Sequence, residues 1–259
     1  MVAKIDRTGE ESINNFGSKI VIVNYRKYSD IDVYFPEYNW TFKNAHYSSF
    51  KKGNIKCPYE QRYYEIGYFG EGKYKVSENG KTTRYFNAWY NMLKRCYSEK
   101  YYNKNLTYTN CEVDEDWLNF QNFAKWYKEN YYEIEGEQME LDKDILYKHN
   151  KIYSPETCIF VPHGINALFT KSDKTRGDSC IGTYHRKNYK YQVYCRMINP
   201  KTGKSKREHL GFYNTQEKAF EIYKYYKERN IKDVADYYKD VIPQKLYNAL
   251  YEYEVEIND

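Results

Sequence analysis

The chain has 259 residues, of which 41% are hydrophobic, and much of that share is aromatic, with 34 Tyr and 12 Phe. That length fills one large domain or two to three small ones, with aromatic rather than aliphatic cores. The formal net charge is +5. No apolar run is long enough for a membrane span and no secretory leader pattern is present, which excludes membrane proteins and predicts a cytoplasmic location. Six cysteines (Cys57, Cys96, Cys111, Cys158, Cys180 and Cys195) form no C-x-x-C pair. A zinc ribbon is thereby excluded, and reduced, packed thiols are expected.

Along the chain, residues 1–62 read as a small β-rich module. Residues 19–25 (KIVIVNY) and 30–35 (DIDVYF) carry strand patterns around a hairpin loop at 26–29, and Gly53-Asn54 marks a later turn before Pro58. Residues 63–175 form a helical middle part. It opens with Asn79-Gly80, a hairpin signal. A helix follows with Phe86, Trp89, Leu93 and Cys96 on one face. A second helix, capped by Asp114, stacks Trp117, Phe120, Phe123, Ala124 and Tyr127. Residues 141–169 then read as strand, polar turn, strand and short helix, a ββα hairpin. Residues 176–259 form the third part. Its strand 190–198 alternates, with Lys190, Gln192, Tyr194 and Arg196 on one face and Tyr191, Val193, Cys195 and Met197 on the other. A third strand ends at Tyr213. A helix follows with Ala219, Ile222, Tyr223 and Tyr226 on its buried face. Residues from 231 onward read as two short helices separated by Pro243, with a frayed acidic end. The fold class expected is α+β in three parts, with boundaries near 62 and 176.

Charge is unevenly spread. Residues 181–211 hold eight Lys and Arg against one acid, Glu208, whereas residues 112–144 hold eleven acids against three lysines. One segment is suited to a polyanion and the other repels one.

Two segments resemble known families. The pattern Leu141-Asp142-Lys143, Asn150, Tyr153, Cys158, Val161 and Asn166 resembles the HNH-like (His-Me finger) endonucleases of phages and mobile elements. Trp89, Met92-Leu93, Arg95-Cys96-Tyr97, Cys111, Val113, Trp117, Phe120, Phe123 and Trp126 extend the likeness. Ile181-Gly182, Tyr191, Val193, His209-Leu210-Gly211-Phe212-Tyr213, Glu217, Ala219 and Tyr223 resemble the apetala/ethylene-response-factor (ERF) DNA-binding domain. The first resemblance implies a hard metal ion, Mg2+ or Mn2+, held by Asp142 with Asn166 or His163. It also implies a histidine base, and here Lys143 stands in that place. Lysine is protonated near neutrality, so Lys143 is a poor base, and His149 and His163 are the other candidates. The HNH motif is thus degenerate and the chain is expected to bind DNA rather than cut it. The second resemblance implies a sheet laid in the major groove of duplex DNA, with Arg186, Lys187, Lys190, Gln192, Tyr194, Arg196, Lys206 and Arg207 in contact. The alternative is a phage effector that binds and inhibits a host defence protein through the acidic middle segment. The bacterial cytoplasm is the expected location for both, and the sequence leaves the oligomeric state open.

Overall fold

The computed structural model describes residues 5–169, 179–186, 190–257 and 259. The fold is α+β, and the chain divides into two compact units, Met1–Glu129 and Asn130–Asp259. The boundary expected near 62 falls inside the first unit. The one expected near 176 falls inside the second, at residues outside those described.

In the first unit, β1 (Glu11–Ile13), β2 (Lys19–Lys27), β3 (Asp30–Phe35) and β4 (Trp40–Ala45) form an antiparallel sheet in chain order. Ile20, Ile22, Ile31, Val33 and Phe35 are fully buried on one face and pack with Tyr47 and Phe50 of α1 (Tyr47–Lys51). Across β2, β3 and β4, Arg26 donates to Asp30 and Asp32, and Asp32 also accepts from the Asn24 side chain and the Asn44 amide. The strands at 19–25 and 30–35 are therefore present, and β1 and β4 add to them. Gly53 turns the chain at φ +66°, where a Cβ would press on Asn15 at 2.9 Å.

β5 (Ser77–Glu78) and β6 (Lys81–Thr82) pair around Asn79 and Gly80, both with positive φ. This is the backbone that a two-residue hairpin with right-handed twist demands. Thr83 Oγ1 then caps α2 (Arg84–Tyr97) through the Phe86 amide, and Trp89, Met92, Leu93 and Cys96 are buried along it. A single turn, α3 (Glu99–Tyr102), and a two-residue strand, β7 (Glu112–Val113), follow. Asp114 caps α4 (Glu115–Leu118) as expected, through the Asp116 amide. The second helix is broken, however, at Asn119. Tyr68 runs alongside and exchanges backbone hydrogen bonds with Leu118 and Phe120, while Asn119 Oδ1 accepts from the Gln121 amide and starts α5 (Phe120–Asn130) afresh. Trp89, Trp117, Phe120 and Phe123 are buried together as core.

In the second unit, β8 (Met139–Asp142) pairs antiparallel with β10 (Ile159–Pro162), and β9 (Ile152–Tyr153) lies between them in sequence. Helix α6 (His163–Asn166) and a 3-10 turn (Ala167–Phe169) complete the ββα element. β11 (Thr183–His185), β12 (Tyr191–Ile198) and β13 (Ser205–Tyr213) form a three-stranded antiparallel sheet. Its inner face packs Val193 and Cys195 on Ala219 and Tyr223 of α7 (Gln216–Tyr238). α7 runs unbroken for 23 residues, so the first of the two expected C-terminal helices is its continuation. No Gly or Pro interrupts residues 216–238. Its second half, with Ile231, Val234, Ala235 and Tyr238, shares a core with Ile159, Val161, Ile165 and Leu168 of the ββα element and Leu246 and Leu250 of α8 (Gln244–Tyr251). The acidic end is docked rather than frayed: Val255 is buried, and Lys148 Nζ donates to the Glu254 carbonyl at 2.8 Å and pairs with Asp259 at 2.8 Å. All six cysteines are buried and none forms a disulfide among the described residues. Among the described residues no helix is long and apolar enough to cross a membrane.

Candidate nucleic-acid interface

The outer face of the β11–β13 sheet is built by strand alternation. Tyr191, Val193, Cys195 and Met197 turn toward the helix, which leaves Gln192, Tyr194 and Arg196 on the other side of β12. Register then fixes their neighbours. Tyr184 and Phe212 flank Gln192, His209 stands opposite Tyr194, and Arg207 stands opposite Arg196. The register shift beside Tyr194, with Gly211 at φ +113°, keeps both His209 and Phe212 on this face.

Tyr194 is the hub of the face. Its hydroxyl accepts from Gln192 Nε2 at 2.8 Å, which aims Gln192 Oε1 at Arg186 Nε, 2.6 Å away. The Arg207 guanidinium lies 4.0 Å from the Tyr194 ring centroid and 5.0 Å from that of Tyr184. Such contacts restrain a long basic side chain that would otherwise wander. The rings continue outward from Tyr194 to His209 at 5.0 Å and from His209 to Phe212 at 5.1 Å. Among the described residues no carboxylate pairs with Arg196 or Arg207.

The residues expected in contact with DNA divide accordingly. Arg186, Gln192, Tyr194, Arg196 and Arg207 gather on the outer face. Gln192 is itself buried and serves to hold Arg186. Lys190 is exposed at the start of β12, and its carbonyl accepts from the Arg186 amide. Lys206 belongs to the opposite side, paired with Glu208 at 2.9 Å, because it alternates with Arg207. Lys187 lies outside the described residues. His209 and Phe212 were missed as surface groups. The alternation of β13 carried the signal, but the extra residue at the bulge obscured it.

The ββα element places its polar residues differently from expectation. Asn166 donates to Glu140, and Glu140 also meets His163 Nδ1 at 2.8 Å. Asp142 Oδ1 instead accepts the amides of Asp144 at 2.9 Å and Ile145 at 2.8 Å, closing the turn after β8. Burial, and then the Asp144 carboxylate, push the Asp142 carboxyl up to about 6. Asp142 and Asn166 thus have separate partners and are not gathered as a ligand pair for Mg2+ or Mn2+. Glu140 was missed, although it lies two residues before Asp142 on the same strand and so shares its face. Lys143 is buried, and its ammonium binds Asp144 at 2.9 Å and the Asn150 carbonyl at 3.0 Å. It therefore pins the 143–150 loop. His149 sits exposed in that loop at φ +64°, 3.6 Å from Glu256. His149, Glu256 and Asp259 bring three ligand atoms within 4.8 Å of one another, but Lys148 pairs with both acids.

Several acids of the 112–144 stretch are likewise engaged internally. Asp114 caps a helix, Glu137 accepts from the Tyr238 hydroxyl at 2.6 Å, and Glu140, Asp142 and Asp144 are bonded as above.

Comparisons of the chain with protein families, with curated proteins and with solved structures found no match.

Proposed function

We propose that this protein binds duplex DNA through the outer face of β11–β13, as an HNH-like, ERF-bearing protein of a phage or mobile element would, without cutting it efficiently. One observation carries the reading. Arg196 and Arg207 stand directly opposite each other across β12 and β13, with no acid to offset them among the described residues. Like charges opposed across strands are destabilising, and a run of phosphates relieves the repulsion. Arg186 and Arg207 are moreover restrained by Gln192, Tyr184 and Tyr194 before any ligand arrives, which lowers the entropy lost on contact.

The absence of efficient cleavage is inferred from Lys143. It occupies the histidine place of the resembled family, and its ammonium is committed to Asp144 and the Asn150 carbonyl. The test uses the full chain in mobility-shift and fluorescence-anisotropy titrations with random-sequence duplex over a salt series. Log affinity should fall with log salt by about 0.9 per phosphate neutralised. Arg196→Ala and Arg207→Ala should each weaken binding, by about 1–3 kcal/mol where the contact is bidentate to guanine. A folded full-length protein without duplex affinity at low salt overturns the proposal. Efficient duplex cleavage in Mg2+ or Mn2+ overturns its second half.

A further inference from the structure

The outer face of the sheet carries more aromatic surface than contact with base edges uses. We propose that it also binds unpaired bases, so that single-stranded nucleic acid is a ligand, with Arg207, His209 and Phe212 of β13 each offering a base its flat surface. This rests on the reading of that face as the nucleic-acid surface and names a further ligand class for it.

Three observations carry the inference. Phe212 is 51% exposed, and His209 and Arg207 are exposed beside it on the same face of one strand. A large exposed ring amid basic groups is suited to stacking, and every base has a π-face, whereas duplex bases show only their edges in a groove. Spacing is the second. The bulge sets Phe212 beside His209, with ring centroids 5.1 Å apart, whereas Arg207 and His209, as alternate residues of the strand, lie about 6.6 Å apart, roughly twice the 3.4 Å rise of bases in a duplex strand. Surfaces set at that interval match bases that have been drawn apart, not a continuous stack. Third, the three surfaces are buttressed from beneath or beside. Tyr194 and Tyr184 support the Arg207 guanidinium, Tyr194 contacts His209, and His209 meets Phe212 edge to face. Arg196, across from Arg207 and exposed, supplies charge for the backbone between the bases.

The test is fluorescence anisotropy of the full chain with labelled oligothymidine and, separately, with a blunt duplex of the same length in the same buffer. Wild type should bind both. Phe212→Ala and His209→Ala should each weaken oligothymidine binding about tenfold or more, the size of one base–aromatic stack, and by a clearly larger factor than they weaken duplex binding. Phe212→Trp should keep or raise single-strand affinity, which a merely misfolded sheet would not do. Equal loss of both ligands in Phe212→Ala overturns the proposal and assigns Phe212 to a thymine methyl in the groove. Duplex binding without any oligothymidine binding also overturns it, and leaves the duplex reading standing. Failure of both ligands on the wild type removes the duplex reading as well.

Discussion

Asp142→Asn replaces one carboxylate oxygen by an amide nitrogen and keeps the Oδ1 acceptor for the amides of Asp144 and Ile145. The native carboxyl is raised from its ordinary 3.8 to about 6, first by burial and then by the Asp144 charge. The folded chain therefore holds this proton more tightly than the unfolded chain. Below about pH 4 both forms are protonated and no cost arises. As pH rises from about 4 toward 6 the unfolded chain ionises first, and the fold loses stability. Above that range the cost is complete. At about 1.4 kcal/mol for each tenfold, it reaches roughly 3 kcal/mol, an upper figure because the side chain keeps a partly exposed edge. The asparagine variant resembles the protonated form and escapes the cost. All four tryptophans lie in the first unit, so their fluorescence reports on the wrong half of the molecule. Hydrogen exchange at the β8 and β10 amides, measured from acid to mildly alkaline pH, reports on the right one. The two proteins should match at the acid end. The variant should gain by up to about 3 kcal/mol near neutrality. A difference independent of pH, or a wild type that is the more stable near neutrality, refutes the reasoning and means that the two amides hold the ionised carboxylate outright.

Gly182→Ala should disrupt the sheet, because φ is +74° and the new Cβ would sit 2.0 Å from the Tyr223 ring; far-UV circular dichroism and a duplex titration check it, and native-like values in both would count against the packing described. Asp32→Ala removes the acceptor for Arg26, Asn24 and the Asn44 amide. It should cost the first unit about 2 kcal/mol, read by tryptophan fluorescence in urea, with duplex affinity unchanged. Lys143→Met leaves the Asn150 carbonyl without its ammonium and should lower protection of the 143–150 loop by about 1–3 kcal/mol in hydrogen exchange.

Local chemistry was legible wherever a few neighbouring residues decide the backbone. Asn79-Gly80 demanded its turn, Asp114 sits where a cap is wanted, and the alternation of residues 190–198 gave the two faces of β12. Longer-range features were not. The break at Asn119 depends on Tyr68, some fifty residues earlier, exchanging backbone hydrogen bonds with the residues around it, and nothing within the helix sequence announces it. Glu140 finds His163 and Asn166 because β8 pairs with β10 in a register that brings Met139 opposite Pro162. The motif drew attention to Asp142, yet the adjacent backbone amides satisfy that residue locally. The docked C-terminus was missed for a similar reason, since Glu254 and Asp259 are held by Lys148, more than a hundred residues away.

The most consequential long-range feature is the core shared along α7. Ala219 and Tyr223 of its first half back the sheet, while Ile231, Val234, Ala235 and Tyr238 of its second half pack on the ββα element and α8. Between them Asn230 clamps the end of β12, giving and receiving hydrogen bonds with Ile198, and Lys227 donates to the Leu168 carbonyl at the end of the ββα element. A cut near 176 would therefore not release an intact domain. Each of those apolar side chains gains about 1.5–3 kcal/mol when fully buried, so stripping away the ββα side removes a sum comparable with the roughly 5–15 kcal/mol that holds a domain folded. Lys227 would also lose its acceptor. We predict that a fragment of residues 130–259 gives native-like circular dichroism and a cooperative urea transition, whereas a fragment of residues 177–259 binds a hydrophobic dye and melts without cooperativity. A cooperative, dye-free 177–259 fragment that retains duplex affinity would show that the sheet and the first half of α7 suffice, and that the shared core adds little to them.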